Sequence, residues 1–386
     1  MRFVKEHAYF YKDETLSFKE KILNMSFSYL FFISVIVFIG LTALYSAANE
    51  NFQPWAVRQF YRYAVSVGIL FFLALLDIRL VMKYAYVFYG FVLGLLVAVD
   101  VAGKTGMGAQ RWLDLKVVQI QPSELMKIAL VLALARYFHK TGLNEAKTWR
   151  FLIPPVLMTA VPFLLIAVQP DLGTSLFLIF ILVPLLFMVG VQIWKFCLFG
   201  TLGLASLPFV WLFLHDYQKA RVLTFLSPES DPLGSGYHIM QSKIALGSGG
   251  LFGKGLGLGT QSHLNFLPEK QTDFIFTLIA EEFGMIGCLF LIALYIIVIS
   301  YGFVFALRCT SFFTKVVALG LTINFSLYVF INIAMVIGLL PIVGVPLPLV
   351  SYGGTALMTL FLSFGLIECA YVNRDKTIGR TGSTEE

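Results

Sequence analysis

MSFSYLFFISVIVFIGLTALYSA, residues 25–47, runs for 23 residues without a charge. As a helix rising about 1.5 Å per residue it spans roughly 34 Å, enough to cross a hydrocarbon core of about 30 Å. Such runs recur to ALMTLFLSFGLIECAYV at 356–372. Of the 386 residues, 58% are hydrophobic and 13% charged, and mean hydropathy is +0.83. Soluble domains carry about a quarter charged residues, so the chain is expected to be an all-α polytopic membrane protein. The first run follows the polar or mixed segment 1–24 and lacks a small-residue exit, so it reads as a signal anchor and not a cleaved signal peptide. Cys197, Cys288, Cys309 and Cys369 sit in or beside apolar segments without paired spacing and read as small hydrophobes. The five histidines are scattered, with no zinc pattern.

Apolar periodicity and breakers predict ten spans: 25–47, 61–78, 80–100, 122–138, 151–168, 172–190, 193–215, 273–306, 313–340 and 346–372. The eighth is the longest, expected to tilt or to extend beyond the bilayer. An even number of spans puts both termini on one side. With the termini inside, 17 of the 28 lysines and arginines fall on that side and 11 on the other, so the positive-inside rule places both termini in the cytoplasm. The same charge on inner loops accounts for the basic pI of 9.0 without a nucleic-acid partner. Two outer loops stand out, 101–121 and 216–272. The second far exceeds ordinary helix connections, and long ordered loops usually carry function. The expected organisation is a cytoplasmic segment 1–24, a membrane domain 25–372 and a polar cytoplasmic tail 373–386.

Polar chemistry gathers at the outer ends. QPSELMK (121–127) sets Glu124 and Lys127 three apart on one helix face, with Pro122 near the first helical position and Ser123 or the preceding turn as cap. The pair either tethers a helix end or lines a water-filled cavity. In AVQPDLGTS (167–175), Pro170 and Gly173 make a turn and Asp171 is expected to cap the next helix. GYHIMQSKIAL (236–246) has an apolar face suited to the interface plane. GSGGLFGKGLGLG (247–259) lacks the G-K-[ST] ending of a nucleotide loop; its glycines serve flexibility, close backbone approach or anion binding. FLPEKQTDFIFTLIAEEFG (266–284) places Glu269, Asp273, Glu281 and Glu282 around the start of an apolar helix. Asp273 is an N-cap or something more. Glu281 and Glu282 point about 100° apart, and at least one faces the interior. A carboxylate near apolar walls gains proton affinity, which suits a general base. Cations beside it suit a phosphate or pyrophosphate. The residues thus point to a lipid-like anionic substrate at the outer leaflet.

The motifs GAQRWLDL (108–115), QPSELMK, QPDLGTS (169–175), DPLGSGYHIMQSKIALGSGG (231–250), GTQSHLNFLPEKQTDFIFTLIAEEFG (259–284) and GVPLPLVSYGGT (344–355) together resemble the SEDS family of bacterial membrane proteins, from about residue 25 to 372. DFIF followed by AEE resembles the rod-elongation branch more than the division branch. The resemblance implies a peptidoglycan glycosyltransferase that polymerises lipid II on the periplasmic side of the inner membrane, with a class B penicillin-binding protein as partner. It assigns the essential carboxylate to Asp273, which takes a proton from the acceptor 4-hydroxyl while polyprenyl pyrophosphate departs with inversion. It places Glu124 and Lys127 as the polar pair and Arg58 as the basic residue of an RQ pair. Arg111 matches the first outer motif, and Arg221 and Glu269 complete the expected substrate contacts. Lys243, Arg221 and Lys254 are placed to meet either substrate or lipid headgroups. Mg²⁺ or Mn²⁺ assistance is implied for the family, although the sequence shows no dedicated cage. Lipid II flipping is the alternative function. It would call for polar residues along the whole path, for which Asn324 and Asn332 are the inner-half candidates.

Overall fold

The computed structural model describes residues 16–106, 109–114, 119–141, 143–169, 171–214, 216–231, 234–263 and 269–379. After a short capped helix α1 (Phe18–Leu23), the chain forms α2 (Phe27–Ala47), α3 (Ala56–Ala74) and α4 (Ile78–Ala102). A small antiparallel sheet follows, β1 (Lys104–Gly106), β2 (Ala109–Asp114) and β3 (Gln119–Ile120), in sequential order. Then come α5 (Pro122–Lys140), α6 (Trp149–Val168), α7 (Leu172–Val189) and α8 (Ile193–Phe213). The long connection holds α9 (Asp216–Leu226), α10 (Ser235–Ser248) and α11 (Thr260–His263), and α12 (Ile275–Arg308), α13 (Phe312–Val336) and α14 (Gly354–Val372) complete the bundle. The expected basic residues Arg2, Lys5, Lys12, Lys116 and Arg380, and the turn residue Pro170, lie outside the described residues.

Ten of these helices have 18 residues or more, in line with the ten expected spans. Eight are long and apolar enough to cross a membrane by themselves. The other two are α3 and α5, which carry Arg58 and Arg62, and Glu124 and Lys127. Their neighbours compensate. α5 is enclosed by α4, α6, α7 and α13, and α3 packs most extensively on α14. α8 is the reverse case, with Lys195 its one buried residue. The Lys195 ammonium donates to the Lys147 carbonyl at 2.7 Å and lies 5.0 Å from the Trp149 ring centre, pinning the start of the helix.

Three expectations needed correction. The second span lies at 56–74, not 61–78, because the turn that carries Arg58 belongs to the helix, which closes at Ala74 ahead of the Asp77 cap of α4. The last span starts at Gly354, not 346. Pro346 and Pro348 supply no backbone donor and hold their predecessors extended, so 341–353 forms an ordered turn in which the Leu347 N–H donates to Ser351 Oγ at 2.7 Å. The eighth span does not simply run long. α12 breaks at Gly284, whose φ of 66° and ψ of −164° are non-helical. The glycine-rich segment supplies the partners that the break releases. The N–H groups of Lys254 and Gly255 donate to the Glu281 and Glu282 carbonyls, both at 3.0 Å, while Met285 and Ile286 donate to the Gly250 and Leu251 carbonyls at 2.9 and 3.2 Å. A Cβ on Gly253 would sit 2.1 Å from the Glu282 carbonyl oxygen. Close backbone approach is therefore what these glycines provide.

Candidate active site

Asp273 closes a turn that begins at Glu269, itself left-handed at φ 52°. Thr272 N–H donates to the Glu269 carbonyl at 3.0 Å, and Thr272 Oγ and Gln271 Nε2 each donate to Glu269 Oε2 at 3.2 Å. The turn is clamped from three sides. Ser351 Oγ donates to the Thr272 carbonyl at 2.6 Å, Tyr352 N–H to the Gln271 carbonyl at 2.8 Å, and Asn332 Nδ2 to the Asp273 carbonyl at 3.0 Å. Gln59, buried on α3, reaches the Ser351 carbonyl at 3.1 Å from behind.

The backbone of Asp273 is thus fixed while its carboxylate is not engaged. The N-cap position of α12 is Phe274 and has no side-chain cap, so Asp273 is not the cap. No described residue hydrogen-bonds its carboxylate, which faces Gly344, 3.4 Å from where a Cβ would sit there. Burial, reinforced by the negative charge of Glu269, pushes the Asp273 carboxyl up to about 6 against the opposing pull of Arg221. Arg221 projects from α9 with Nη1 3.5 Å from the Val343 carbonyl. Asp273, Glu269 and Arg221, far apart in the chain or across a turn, therefore meet at one place.

Glu124 and Lys127 form the second cluster, one turn inside α5. Their ion pair measures 2.6 Å, with Lys127 fully buried. Tyr328 of α13 bonds both partners, accepting from Lys127 and donating to Glu124 Oε2. The ammonium also lies 5.0 Å from the Phe177 ring centre. A small cavity beside the cluster is bounded by Glu124, Tyr328, the stretch 346–349 and Ser351, so the turn that clamps Asp273 also faces the two partners of the cation. Tyr328 and Asn332 sit four residues apart on α13, one helical turn, and join the two clusters.

Arg111 of β2 pairs with Asp171 at 3.7 Å. Asp171 also accepts from the Thr174 N–H at 3.4 Å, capping α7 as expected. Arg58 is exposed on the first turn of α3 and makes no ion pair among the described residues. The inward cation of that helix is Arg62, stacked 4.9 Å from the Tyr352 ring centre and over Gly354. Glu281 and Glu282, both buried, serve the fold. Glu281 accepts from Lys254 Nζ at 2.7 Å, Thr260 Oγ at 3.1 Å and the Gln261 N–H at 3.0 Å, and Glu282 accepts from Ser46 Oγ of α2. Tyr328, Gln59, Ser351 and Arg62 were not assigned to the site from the sequence because each matters through a partner far away in the chain. Asn332 was noticed but misplaced. It stands at Asp273 and not in the far half of the bundle.

Among the described residues no group of three His, Cys, Asp or Glu side chains is arranged to hold a metal ion. Among the described residues there is thus no cage that would hold Mg²⁺ or Mn²⁺ without the phosphates of a substrate.

The chain is 44% identical over 357 residues to the peptidoglycan glycosyltransferase MrdB of Escherichia coli K12, covering 89% of this chain and 92% of that protein. It superimposes on the crystal structure of the rod shape determining protein RodA of Thermus thermophilus with a TM-score of 0.70 and 29% identity, over 92% of this chain and 98% of the other. A chain from a peptidoglycan synthase complex, described for coordinating polymerization and crosslinking, matches with a TM-score of 0.76 and 31% identity, over 91% and 98%. Residues 20–376 match the FtsW/RodA/SpoVE description, and with that span, the ten-helix bundle and the clamped Asp273 turn, the chain belongs to this family of cell cycle proteins, the SEDS family.

Proposed function

We propose that the chain polymerises lipid II into β-1,4 glycan strands during cell elongation, with Asp273 as general base. The observation that carries this reading is a carboxylate excluded from helix capping, raised to about 6 by burial, and fixed through its backbone by Asn332, which sits one helical turn from the Tyr328 that holds a buried ammonium. At neutral pH such a group is mostly ionised yet basic enough to take a proton, the condition for efficient general-base catalysis.

In the reaction the acceptor GlcNAc 4-hydroxyl gives its proton to Asp273 Oδ2 or Oδ1. Its oxygen attacks the anomeric carbon of the donor, and the bond to polyprenyl pyrophosphate breaks with its electron pair leaving on phosphate oxygen. An α-linked donor becomes a β-linked product in one inverting displacement, so one positioned base suffices and no covalent intermediate is required. Arg221 and Glu269 frame the base. Lys127, held by Glu124 and Tyr328, and Arg111 and Arg58 near the same end of the bundle supply positive potential for the departing pyrophosphate.

The loop end of the bundle faces the periplasm in this reading, with segment 1–24 and tail 373–386 in the cytoplasm of a bacterium and the bundle in its inner membrane. A class B penicillin-binding protein that crosslinks the new strand is the partner. Support comes from the positive-inside count and from the synthase-complex likeness. Asn332 belongs to the Asp273 site, which takes it out of the polar candidates for a path through the far half and favours reaction over transport.

The test is polymerisation of purified lipid II by the full chain with its transpeptidase partner, comparing wild type with Asp273→Asn at matched expression and complex formation. Glycan from the wild type and a loss of at least about 10²-fold in the variant are expected. Equal polymerisation by both would remove Asp273 from the chemistry, and lipid II translocation without polymer would replace transferase by flippase.

A further inference from the structure

Asn332 lies at the middle of the site's framework without being able to reach a substrate, since none of its surface is exposed. Its one donor group serves two backbone carbonyls. Nδ2 donates to Asp273 O at 3.0 Å and to Val345 O at 2.7 Å. Both acceptors are carbonyls, which settles the orientation of the amide, and its Oδ1 has no hydrogen-bond partner. The polar function of the side chain is therefore confined to those two contacts. They join the turn that carries the base to the strand of loop that faces it, because Gly344, the residue against the Asp273 carboxylate, immediately precedes Val345.

The remaining supports of the turn act earlier in the chain, at Gln271 and Thr272. Asp273 itself has no capping bond and no described hydrogen bond to its carboxylate. Asn332 is thus the side chain that sets where Asp273 stands, and it does so from the helix whose Tyr328, one turn earlier, holds Glu124 and Lys127.

We propose that Asn332 is a positioning residue for the transferase reaction. Its carboxamide fixes the distance between the Asp273 base and the 343–347 wall of the substrate space, and α13 thereby aligns the base with the Lys127 cluster. This rests on the reading of Asp273 as the base. Displacement of a catalytic group by about 1 Å can lower a rate 10²-fold while leaving the rest of the binding surface intact, so loss of the clamp acts on kcat and not on KM.

Asn324 provides a control built into the protein. It is buried on the same helix with its own Oδ1 unpartnered, two turns and about 12 Å farther from the site. The experiment measures kcat, KM for lipid II and the pH profile of kcat for wild type, Asn332→Ala, Asn332→Asp, Asn324→Ala and Asp273→Asn, each as full chain with its partner. Asn332→Ala is expected to lower kcat ten- to a hundredfold with KM within about twofold of wild type. It should also shift the acid midpoint of kcat below the wild-type value as the freed carboxylate gains water. Glu269 and Arg221, the charges that act on Asp273, are unchanged in all variants.

Asn332→Asp keeps the volume but turns a carboxylate onto two carbonyl oxygens, so it should fall at least as far. A space-filling role predicts the reverse order. Asn324→Ala should keep kcat and midpoint. If Asn332→Ala does not accumulate as folded protein, Asn332→Asp carries the same measurement. Wild-type kcat and midpoint in a folded Asn332 variant, or equal losses at Asn332 and Asn324, would overturn the proposal. An active Asp273→Asn would instead overturn the base assignment, whatever the Asn332 variants do.

Discussion

The proton affinity of Asp273 links stability to activity. Its folded-state value of about 6 lies above the ordinary 3.8, so the native state favours the protonated form. Folding carries no penalty from this group below about pH 4, a growing one as pH rises through 6, and a constant one above. Asp273→Asn should therefore melt higher than wild type at pH 7.5, by the equivalent of about 1–3 kcal/mol, and the gap should close near pH 4, as thermal unfolding in detergent would show. Wild-type kcat should climb tenfold per unit up to about pH 6 and then level off. The Glu124–Lys127–Tyr328 cluster makes a second prediction. Glu124→Ala leaves a buried ammonium without its carboxylate and should destabilise by about 3–5 kcal/mol. Glu124→Leu with Lys127→Met removes both charges, and should recover most of that stability while polymerisation stays low. Asp273, Glu124 and Lys127 could be singled out from sequence because charge in an apolar context is conspicuous. Tyr328 and Gln59 could not, since an isolated Tyr or Gln on a helix gives no sign of the residue 200 or more positions away that it will bond.

At the level of elements, uninterrupted apolar runs such as α2 and α7 were legible to within a few residues, because length and hydrophobicity alone define them. The misjudged elements are those where backbone geometry overrides composition. GVPLPLV is as apolar as a helix yet folds as a turn. The residues around Gly284 read as continuous helix because a single glycine seldom stops one. What stops it is the glycine-rich segment 250–255, which supplies replacement hydrogen bonds from outside the helix, and non-helical backbone at such depth requires partners of this kind. Gly284→Ala should therefore be severe. Its φ of 66° disfavours a side chain, and the added Cβ would lie 2.3 Å from the Gly253 nitrogen. A loss of at least about 2 kcal/mol is expected, read as failure to elute as a monodisperse species after extraction. Alanine at Gly90, where nothing lies within 4 Å, should be tolerated and serves as the control.

For the molecule as a whole, orientation is the property most directly open to measurement. In a background without native cysteines, Ser248→Cys on the long loop should react with a membrane-impermeant maleimide in intact spheroplasts. Thr310→Cys, on the exposed turn between α12 and α13, should react only after permeabilisation, and the opposite pattern would invert the topology. The assembly of the bundle carries a further consequence. α3 and α5 are the helices too polar to enter a bilayer on their own composition, and each is shielded by helices made later: α3 chiefly by α14, α5 in part by α13. During biosynthesis Glu124 and Lys127 gain their Tyr328 partner only with α13, and Arg62 gains Tyr352 only with the segment that leads into α14. A nascent chain released before Gly354 would leave Arg62 and Gln59 facing lipid or water, recognisable as unfinished. For this protein, closing the site requires the segment that leads into α14 to be in place.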